Sequence, residues 1–181
     1  TTWSPIFDDQ STYSTGCITL DPSNPSTVWV GSGENVGGRH VAYGDGIYKS
    51  TDEGKTWKNM GLKNSEHISE IIVHPDNSDV VWVAVQGPLW SKGGERGLYK
   101  TTDGGNNWQK IGLDSTERIS KIIIDPTDKK TVYVSAPGPL WNSSTHRGLY
   151  KTMDGGKTWN KILYVNDETG CADIAMHPTK P

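Results

Sequence analysis

A twelve-residue segment that recurs three times at one spacing limits the fold more than any other feature of the chain. "GIYKSTDEGKTW" begins at Gly46, "GLYKTTDGGNNW" at Gly97 and "GLYKTMDGGKTW" at Gly148, a spacing of 51 residues each time. The surrounding sequence repeats as well: "ISEIIVHP" (68–75) matches "ISKIIIDP" (119–126), and "GPLW" occurs at both 87–90 and 138–141. A period of about 50 residues is typical of repeat architectures, in which each unit buries its apolar surface against its neighbours.

Each repeat contains four short apolar runs that have the character of strands. The runs are rich in Ile, Val, Tyr and Trp and are separated by turn sequences such as "HPDNSD" and "DPTDKK", and no stretch shows helical periodicity. In the first run of the second repeat, Ile71 and Val73 alternate with Ile72, so both faces are apolar, as a strand packed between two layers requires. Four antiparallel strands in each unit predict an all-β fold, a segment of a β-propeller with four-stranded blades.

The composition agrees with many short strands and large packed side chains. The chain has 21 Gly and 10 Pro, and its 8 Trp and 7 Tyr compensate for a hydrophobic fraction of only 33%. The net charge is −3 and the basic residues form no run, which argues against a nucleic-acid partner. No apolar stretch approaches the roughly 20 residues of a membrane helix, so we expect no membrane insertion.

The repeat also predicts where each blade begins and ends. The predicted units, all within one propeller domain, are the last strand of a preceding blade (1–14), three blades (15–63, 64–114 and 115–165) and the inner strand of a following blade (166–181). Propellers have four or more blades. We therefore expect the chain to be a piece of a longer protein, or to be completed by further blades of the same or another chain.

The recurring segment resembles the Asp-box, a β-hairpin signature of sialidases, sortilin-type propellers and propeller xyloglucanases. The motif Ser/Thr-x-Asp-x-Gly-x-x-Trp is present at 50–57, 101–108 and 152–159. An Asp can accept hydrogen bonds from amides that a turn leaves unpaired, a Gly can adopt positive φ, and a Trp can pack against the hairpin. The predicted structural Asp-box residues are Asp52, Gly54, Trp57, Asp103, Gly105, Trp108, Asp154, Gly156 and Trp159.

The whole pattern is similar to large bacterial Asp-box proteins with a sortilin-like propeller, many of which are described as glycosyl hydrolases. This resemblance implies that the Asp-box is structural and lies away from any active site. It also implies a location outside the cytoplasm: secreted, periplasmic or at the cell surface.

Candidate binding residues fall on the face opposite the Asp-boxes. This face carries the loops from second to third strands and the links between blades; we call it the long-loop face. Exposed aromatic rings beside charged groups suit a glycan or a polypeptide partner. The predicted ligand-binding residues are Arg39, His40, Tyr43, Trp90, Arg96, Trp141, His146 and Arg147.

Several of these residues also have an alternative, structural interpretation. Because "GPLW" recurs in adjacent blades, Trp90 and Trp141 are alternatively plugs between blades. Arg96 and Arg147 are alternatively partners of Glu66 or Glu117 across a blade boundary.

Two functions follow from these residues, and the first is favoured. It is a non-catalytic binding or scaffolding segment that recognises a glycan or polypeptide through the long-loop face. The alternative is part of a sialidase- or xyloglucanase-like glycoside hydrolase, with catalytic carboxylates partly outside this chain. A glycosidase needs two carboxylates at a defined separation, and the candidates are Glu34, Glu95, Asp167 and Glu168.

No zinc spacing or nucleophile motif is present, and Cys17 and Cys171 are too few for a disulfide framework, so we expect no metal and no cofactor.

Overall fold

Three four-stranded antiparallel sheets, one for each repeat, make up the fold of this computed structural model, which describes residues 2–35, 41–177 and 180–181. We number these sheets as blades 1 to 3. Blade 1 contains β1 (Thr15–Leu20), β2 (Val28–Ser32), β3 (Ile47–Ser50) and β4 (Lys58–Asn59). Blade 2 contains β5 (Ile68–His74), β6 (Asn77–Val85), β7 (Gly97–Thr101) and β8 (Gln109–Lys110). Blade 3 contains β9 (Lys121–Ile124), β10 (Val132–Ala136), β11 (Gly148–Thr152) and β12 (Asn160–Leu163).

Within each blade the strands pair in chain order, and the register repeats. Trp29 lies opposite Lys49 in blade 1, Trp82 opposite Lys100 in blade 2, and Tyr133 opposite Lys151 in blade 3. The helical structure of the described residues is limited to one 3₁₀ turn, Asp114–Thr116, in the link between blades 2 and 3. None of the described segments forms a helix with the length and apolarity needed to cross a bilayer.

The core consists of two apolar layers, one at each contact between neighbouring blades. Ile71 and Val73 of β5 are buried in the layer shared by blades 1 and 2. Ile72, which points to the opposite side of the same strand, packs into the layer shared by blades 2 and 3. The alternation predicted for this strand is therefore confirmed, as is the all-β propeller architecture.

The Asp-box tryptophans bind neighbouring blades together, which the sequence interpretation missed. Each indole N–H donates to a backbone carbonyl of the preceding unit: Trp57 to Ile6 at 2.6 Å, Trp108 to Met60 at 2.8 Å and Trp159 to Ile111 at 2.9 Å. The signal was present, because Met60 and Ile111 each lie three residues after the Asp-box Trp of their own repeat. Ile6 follows Trp3 at the same distance.

In blades 1 and 2, a lysine of the third strand adds a second contact with the next blade. Lys49 Nζ lies 4.7 Å from the Trp29 ring centroid and donates to the carbonyl of Gly104 in the next blade at 3.1 Å. Lys100 does the same over Trp82, at 4.4 Å, and donates to Gly155 at 3.0 Å. These cation–π and hydrogen-bonding contacts fix the Asp-box turn of one blade against the preceding blade.

The two terminal segments differ from the strands predicted for them. Residues 2–14 and 171–177 contain no strand in the structure. The last segment instead makes isolated contacts beside β9, such as the hydrogen bond from Ser120 Oγ, just before that strand, to the Ala172 carbonyl at 2.6 Å. A strand requires a ladder of backbone partners, and the described residues supply no second strand for either segment.

Candidate functional site

The two faces of the blades carry different loops. On one face, which we call the Asp-box face, the Asp-box turn contacts the beginning of the second strand of its own blade or the residues just before it. Gly104 N donates to Asp79 O at 3.0 Å, and Gly155 N donates to Lys130 O at 3.0 Å. The long-loop face carries the loops from second to third strands and the links between blades.

On the Asp-box face, a buried hydroxyl is at the centre of each turn. In blade 1, Ser50 Oγ donates to Asp52 Oδ1 at 2.7 Å and accepts from Gly54 N at 2.8 Å. The Asp52 carboxylate in turn accepts from both the backbone N–H and the hydroxyl of Thr56, at 2.9 and 2.7 Å. The same arrangement recurs around Asp154, and around Asp103 with the side-chain amide of Asn107 in place of the hydroxyl.

These hydrogen bonds stabilise the charged carboxylates and leave them engaged in the turns. The backbone and side chain of Thr56 and the hydroxyl of Ser50 lower the pKa of Asp52 to about 2. Asn107 and Thr101 lower the pKa of Asp103 to about 2. Thr158 and Thr152 lower the pKa of Asp154 further still. Three equivalent, internally bonded carboxylates have the character of turn supports.

On the long-loop face, a groove of about 800 Å³ lies between two homologous loops. One is residues 86–96 of blade 2, the other residues 137–147 of blade 3, and we call them loop 2 and loop 3. The groove has both basic and acidic side chains, which suits a polar ligand. Its lining residues are Lys92, Gly93, Gly94, Arg96, Lys110, Asp114, Ser115, Glu117, Asn142, Ser143, Ser144, Thr145, His146 and Asp167.

Two tryptophans stack on each other beside this groove. The rings of Trp90 and Trp141 have centroids 5.6 Å apart and planes inclined by 16°. Their exposed fractions are 50% and 65%. The space between blades 2 and 3 is filled by other side chains, among them Trp82 and Ile122, so the stack is a surface feature rather than the plug considered above.

Arg96 and Arg147 fix the two loops from within. The Arg96 guanidinium donates to the carbonyls of Pro88, Ser91 and Gly93 in loop 2 and to that of Glu117 in the following link. Burial lowers the Arg96 pKa, and the Glu117 and Glu66 carboxylates act in the opposite direction. The partner across the blade boundary is thus the Glu117 carbonyl, whereas the sequence suggested a glutamate side chain.

Arg147 repeats this arrangement one blade later. It donates to the carbonyls of Pro137, Pro139 and Asn142 in loop 3 and to that of Asp167 in the next link. Both arginines were predicted to bind ligand. In the structure four of the five N–H donors of each are occupied by backbone carbonyls, so a ligand in the groove would meet loops that the arginines hold in shape.

The four candidate catalytic carboxylates differ in their surroundings. Glu34 accepts from Ala42 N at 3.1 Å, and Glu95 accepts from Asn64 N at 2.8 Å. The Asp167 carboxylate accepts from the Tyr164 hydroxyl and lines the groove, while Glu168 is exposed. The structure brings only Asp167 into the groove, where it meets acidic residues that the sequence interpretation did not select, Asp114 and Glu117.

The remaining candidates lie in different places. His146 lines the groove. Tyr43 is about half exposed and sits with its ring centroid 5.6 Å from that of His67, at the other end of the face. Arg39 and His40 lie outside the described residues. Within the described part of the chain, no group of three or more His, Cys, Asp or Glu side chains is placed to hold a metal ion.

Together, the repeated hairpins and the stacked four-stranded sheets define a segment of an Asp-box β-propeller. The chain belongs to the Sortilin-Vps10 family, because the family model described as sortilin, neurotensin receptor 3, matches residues 45–175.

A curated relative and several solved structures are similar to this chain. A probable oligoxyloglucan-reducing end-specific xyloglucanase of Neosartorya fischeri is 25% identical over 183 residues, covering 88% of this chain and 20% of that protein. The chain therefore spans about a fifth of the length of that relative. The crystal structure of an ancestral GH74 enzyme matches with a TM-score of 0.69 at 17% identity, over 96% of this chain and 21% of that one. YCF48 bound to D1 peptide matches with a TM-score of 0.54 at 19% identity, over 86% and 41% of the two chains. The structural likenesses show the fold.

Proposed function

We propose that this chain is a non-catalytic binding or scaffolding segment of a propeller, which recognises a glycan or a polypeptide through its long-loop face. The observation that carries the proposal is the groove between loops 2 and 3 with the exposed Trp90–Trp141 stack beside it. Aromatic faces stack on sugar rings, and exposed Trp beside charged groups is also characteristic of peptide-binding surfaces.

The rigidity of the two loops supports this proposal. Because Arg96 and Arg147 each bond four backbone carbonyls, the groove walls are shaped before a ligand arrives. A preformed site avoids part of the entropic cost of ordering loops on binding. The carboxylates at the Asp-box face, in contrast, are already engaged in their turns.

The similar proteins suggest which ligands to test first. One relative is a probable xyloglucanase, and one structural neighbour was solved with a peptide. Xyloglucan oligosaccharides and a panel of unstructured peptides are therefore the probes for isothermal titration calorimetry. Saturable binding to one class would identify the ligand chemistry, and binding to neither would contradict the proposal.

Matched tryptophan variants locate the site. We expect Trp141→Ala and Trp90→Ala to weaken binding at least tenfold, since each removes part of the stack. Trp3→Ala is the control, because Trp3 is 94% exposed and lies outside both loops. Unchanged affinity in Trp90→Ala, together with a loss of several kcal/mol of stability, would show that the stack is structural.

A glycoside hydrolase is the second candidate function, and a specific observation favours it. Three carboxylates, those of Asp114, Glu117 and Asp167, line one groove in a chain that resembles a xyloglucanase in sequence. Turnover of chromogenic glycosides that is abolished by Asp167→Asn or Glu117→Gln, with unchanged folding, would establish catalysis and displace the binding proposal.

We also propose that the protein acts outside the cytoplasm. The support is the resemblance to exported Asp-box propellers. Fractionation of the native host with an antibody against this chain tests it, and recovery of the protein in the cytoplasmic fraction would contradict it.

A further inference from the structure

Each boundary between two described blades is closed by the same three contacts. The first joins a glycine of the incoming Asp-box turn to an aromatic ring of the preceding blade's second strand. A Cβ on Gly105 would lie 2.8 Å from Trp29 Cη2. At the next boundary, a Cβ on Gly156 would lie 2.9 Å from Trp82 Cη2. The second and third contacts are the lysine and indole hydrogen bonds described above.

Blade 3 presents the receiving half of these contacts on its open side. Tyr133 takes the ring position, because it lies opposite Lys151 as a tryptophan lies opposite a lysine in the other two blades. Lys151 Nζ is 5.0 Å from the Tyr133 ring centroid, which repeats the cation–π contact. Ile162, 51 residues after Ile111, takes the position of the carbonyl that accepts from an indole. We call Tyr133, Lys151 and Ile162 the docking face.

The docking face lacks the partners that its counterparts have. The equivalent lysines of blades 1 and 2 each donate to a glycine carbonyl of the next blade. Lys151 Nζ has no hydrogen-bonding partner among the residues that the structure describes. Ile162 is 48% exposed, whereas Met60 and Ile111 pack into the two core layers. The receiving groups of blade 3 are therefore formed and uncovered.

The inner half of the same open side is already covered in the way that one blade covers the next. Between blades 2 and 3, Ser69 Oγ donates to the Ile119 carbonyl at 2.5 Å. Ser120, 51 residues after Ser69, donates to the Ala172 carbonyl at 2.6 Å. Residues 171–177 therefore occupy the place of an inner strand beside blade 3. The uncovered area is the outer part, where an Asp-box turn packs at the other boundaries.

The Asp-boxes of a second copy of this chain are not free to fill the docking face. Those of blades 2 and 3 are packed on the preceding blade. The Trp57 indole of blade 1 donates to the Ile6 carbonyl, and a Cβ on Gly54 would lie 2.7 Å from Ile6 Cδ1. An occupant with Asp-box chemistry must therefore come from a further blade.

We propose that the docking face binds the Asp-box hairpin of a further blade, in which residues 171–177 are the inner strand. Lys151 donates to the carbonyl of the residue after the hairpin's Asp, and the hairpin's indole N–H donates to the Ile162 carbonyl. The hairpin's glycine packs on the Tyr133 ring, where a Cβ would overlap the ring as at the other two boundaries. The three residues are not among those that line the groove, so this inference does not depend on ligand recognition there.

A chain extended by one repeat tests the proposal. Residues 130–165 are appended after Pro181, where the repeat predicts that they supply a second, third and fourth strand with the Asp-box of blade 3. We expect the Ile162 Cδ1 methyl NMR signal to shift relative to the unextended chain, because an indole ring then lies against it. We also expect amide hydrogen exchange in residues 171–177 to slow about tenfold or more, because these residues then pair within a sheet.

Matched lysine variants locate the contact. In the extended chain, Lys151→Met is expected to lower the melting temperature by about 2–4 °C, the shift that corresponds to one lost hydrogen bond in a protein of this size. In the unextended chain the same change should have a clearly smaller effect. Lys58→Met is the control, because Lys58 is an exposed lysine of β4 in blade 1, and it should affect both chains equally.

Three outcomes would overturn the proposal. One is an Ile162 methyl signal that is the same in the extended and unextended chains, and another is an equal effect of Lys151→Met on both. The third is dimerisation of the unextended chain, measured by sedimentation velocity, that Lys151→Met abolishes. That result would assign the docking face to a second copy of the chain.

Discussion

The Asp-box face and the long-loop face belong to the same three blades but use their polar side chains differently. On the Asp-box face, each blade presents an equivalent hydroxyl, carboxylate and indole in the same arrangement, as in Thr101, Asp103 and Trp108 of blade 2. On the long-loop face, loop 2 and loop 3 share their arginine clamp but differ in the residues that line the groove. Groups that repeat in every blade and make their hydrogen bonds within the turn are scaffold. The groups that vary from blade to blade are the candidates for recognition.

The largest effect on stability is expected when a side chain is added to an Asp-box glycine that lies at the contact between two blades. A Cβ on Gly105 would lie 2.8 Å from Cη2 of Trp29 in the preceding blade, at a φ of +95°. We expect Gly105→Ala to lower the free energy of unfolding by about 3 kcal/mol, from overpacking and backbone strain together. Urea unfolding followed by tryptophan fluorescence measures this change.

Gly93 in loop 2 is a matched control for backbone conformation. Its φ is +97°, but a Cβ there would meet no atom within 4 Å. Gly93→Ala should therefore cost only about 1 kcal/mol, the strain contribution alone. Equal losses in the two variants would contradict the claim that Asp-box glycines are required for contact between blades.

The second effect concerns the arginine clamp of loop 2. Arg96→Met removes four partly buried hydrogen bonds to backbone carbonyls, so we expect a loss of about 2 kcal/mol. Hydrogen exchange should increase most in residues 86–96. Arg118→Met is the comparison. Among the residues that the structure describes, the Arg118 side chain bonds only Gln86, so its stability loss should be clearly smaller.

A smaller effect distinguishes the partly buried Trp108 from the exposed Trp141. Trp108→Phe removes the indole N–H that bonds Met60 O and should cost about 1 kcal/mol. Trp141→Phe keeps an aromatic ring on an exposed loop and should change stability by less than about 0.5 kcal/mol. Thermal unfolding of both variants in parallel measures the difference, and a larger loss in Trp141→Phe would reverse the roles assigned to the two faces.

The mildest effect is a pH dependence that originates at the Asp-box face. The pKa of Asp52 and of Asp103 falls from the ordinary 3.8 to about 2 in the folded chain. A lowered folded pKa gives stability that is complete above the ordinary value and is lost as the pH falls through the folded value. The melting temperature should therefore decline between about pH 4 and pH 2.

A triple variant identifies the groups responsible for that decline. Replacing Asp52, Asp103 and Asp154 by Asn removes the three titrating groups and should make the acid decline shallower. A decline of unchanged steepness would show that other carboxylates determine acid stability.

The blades were predictable because their signals are local and repeated. The spacing of the Asp-box and the alternation of Ile71, Ile72 and Val73 depend on near neighbours in the chain, and both predicted the fold correctly. The stacking of Trp90 on Trp141 was not predictable, since it joins two loops whose conformations depend on where Arg96 and Arg147 find carbonyls. Loop conformations follow no period, and for that reason sequence could not predict the separations of Glu34, Glu95 and Asp167.

The division of roles between the two faces is tested most directly by measuring stability and ligand affinity on the same two variants. One variant is Asp103→Ala, and the other is the double variant Trp90→Ala with Trp141→Ala, each assayed against the probe that the unmodified chain binds. We predict that Asp103→Ala lowers stability and leaves the affinity of the folded protein unchanged, whereas the double variant loses affinity at least tenfold and keeps its stability. Loss of affinity in a stable Asp103→Ala chain, or unfolding of the double variant, would contradict the account.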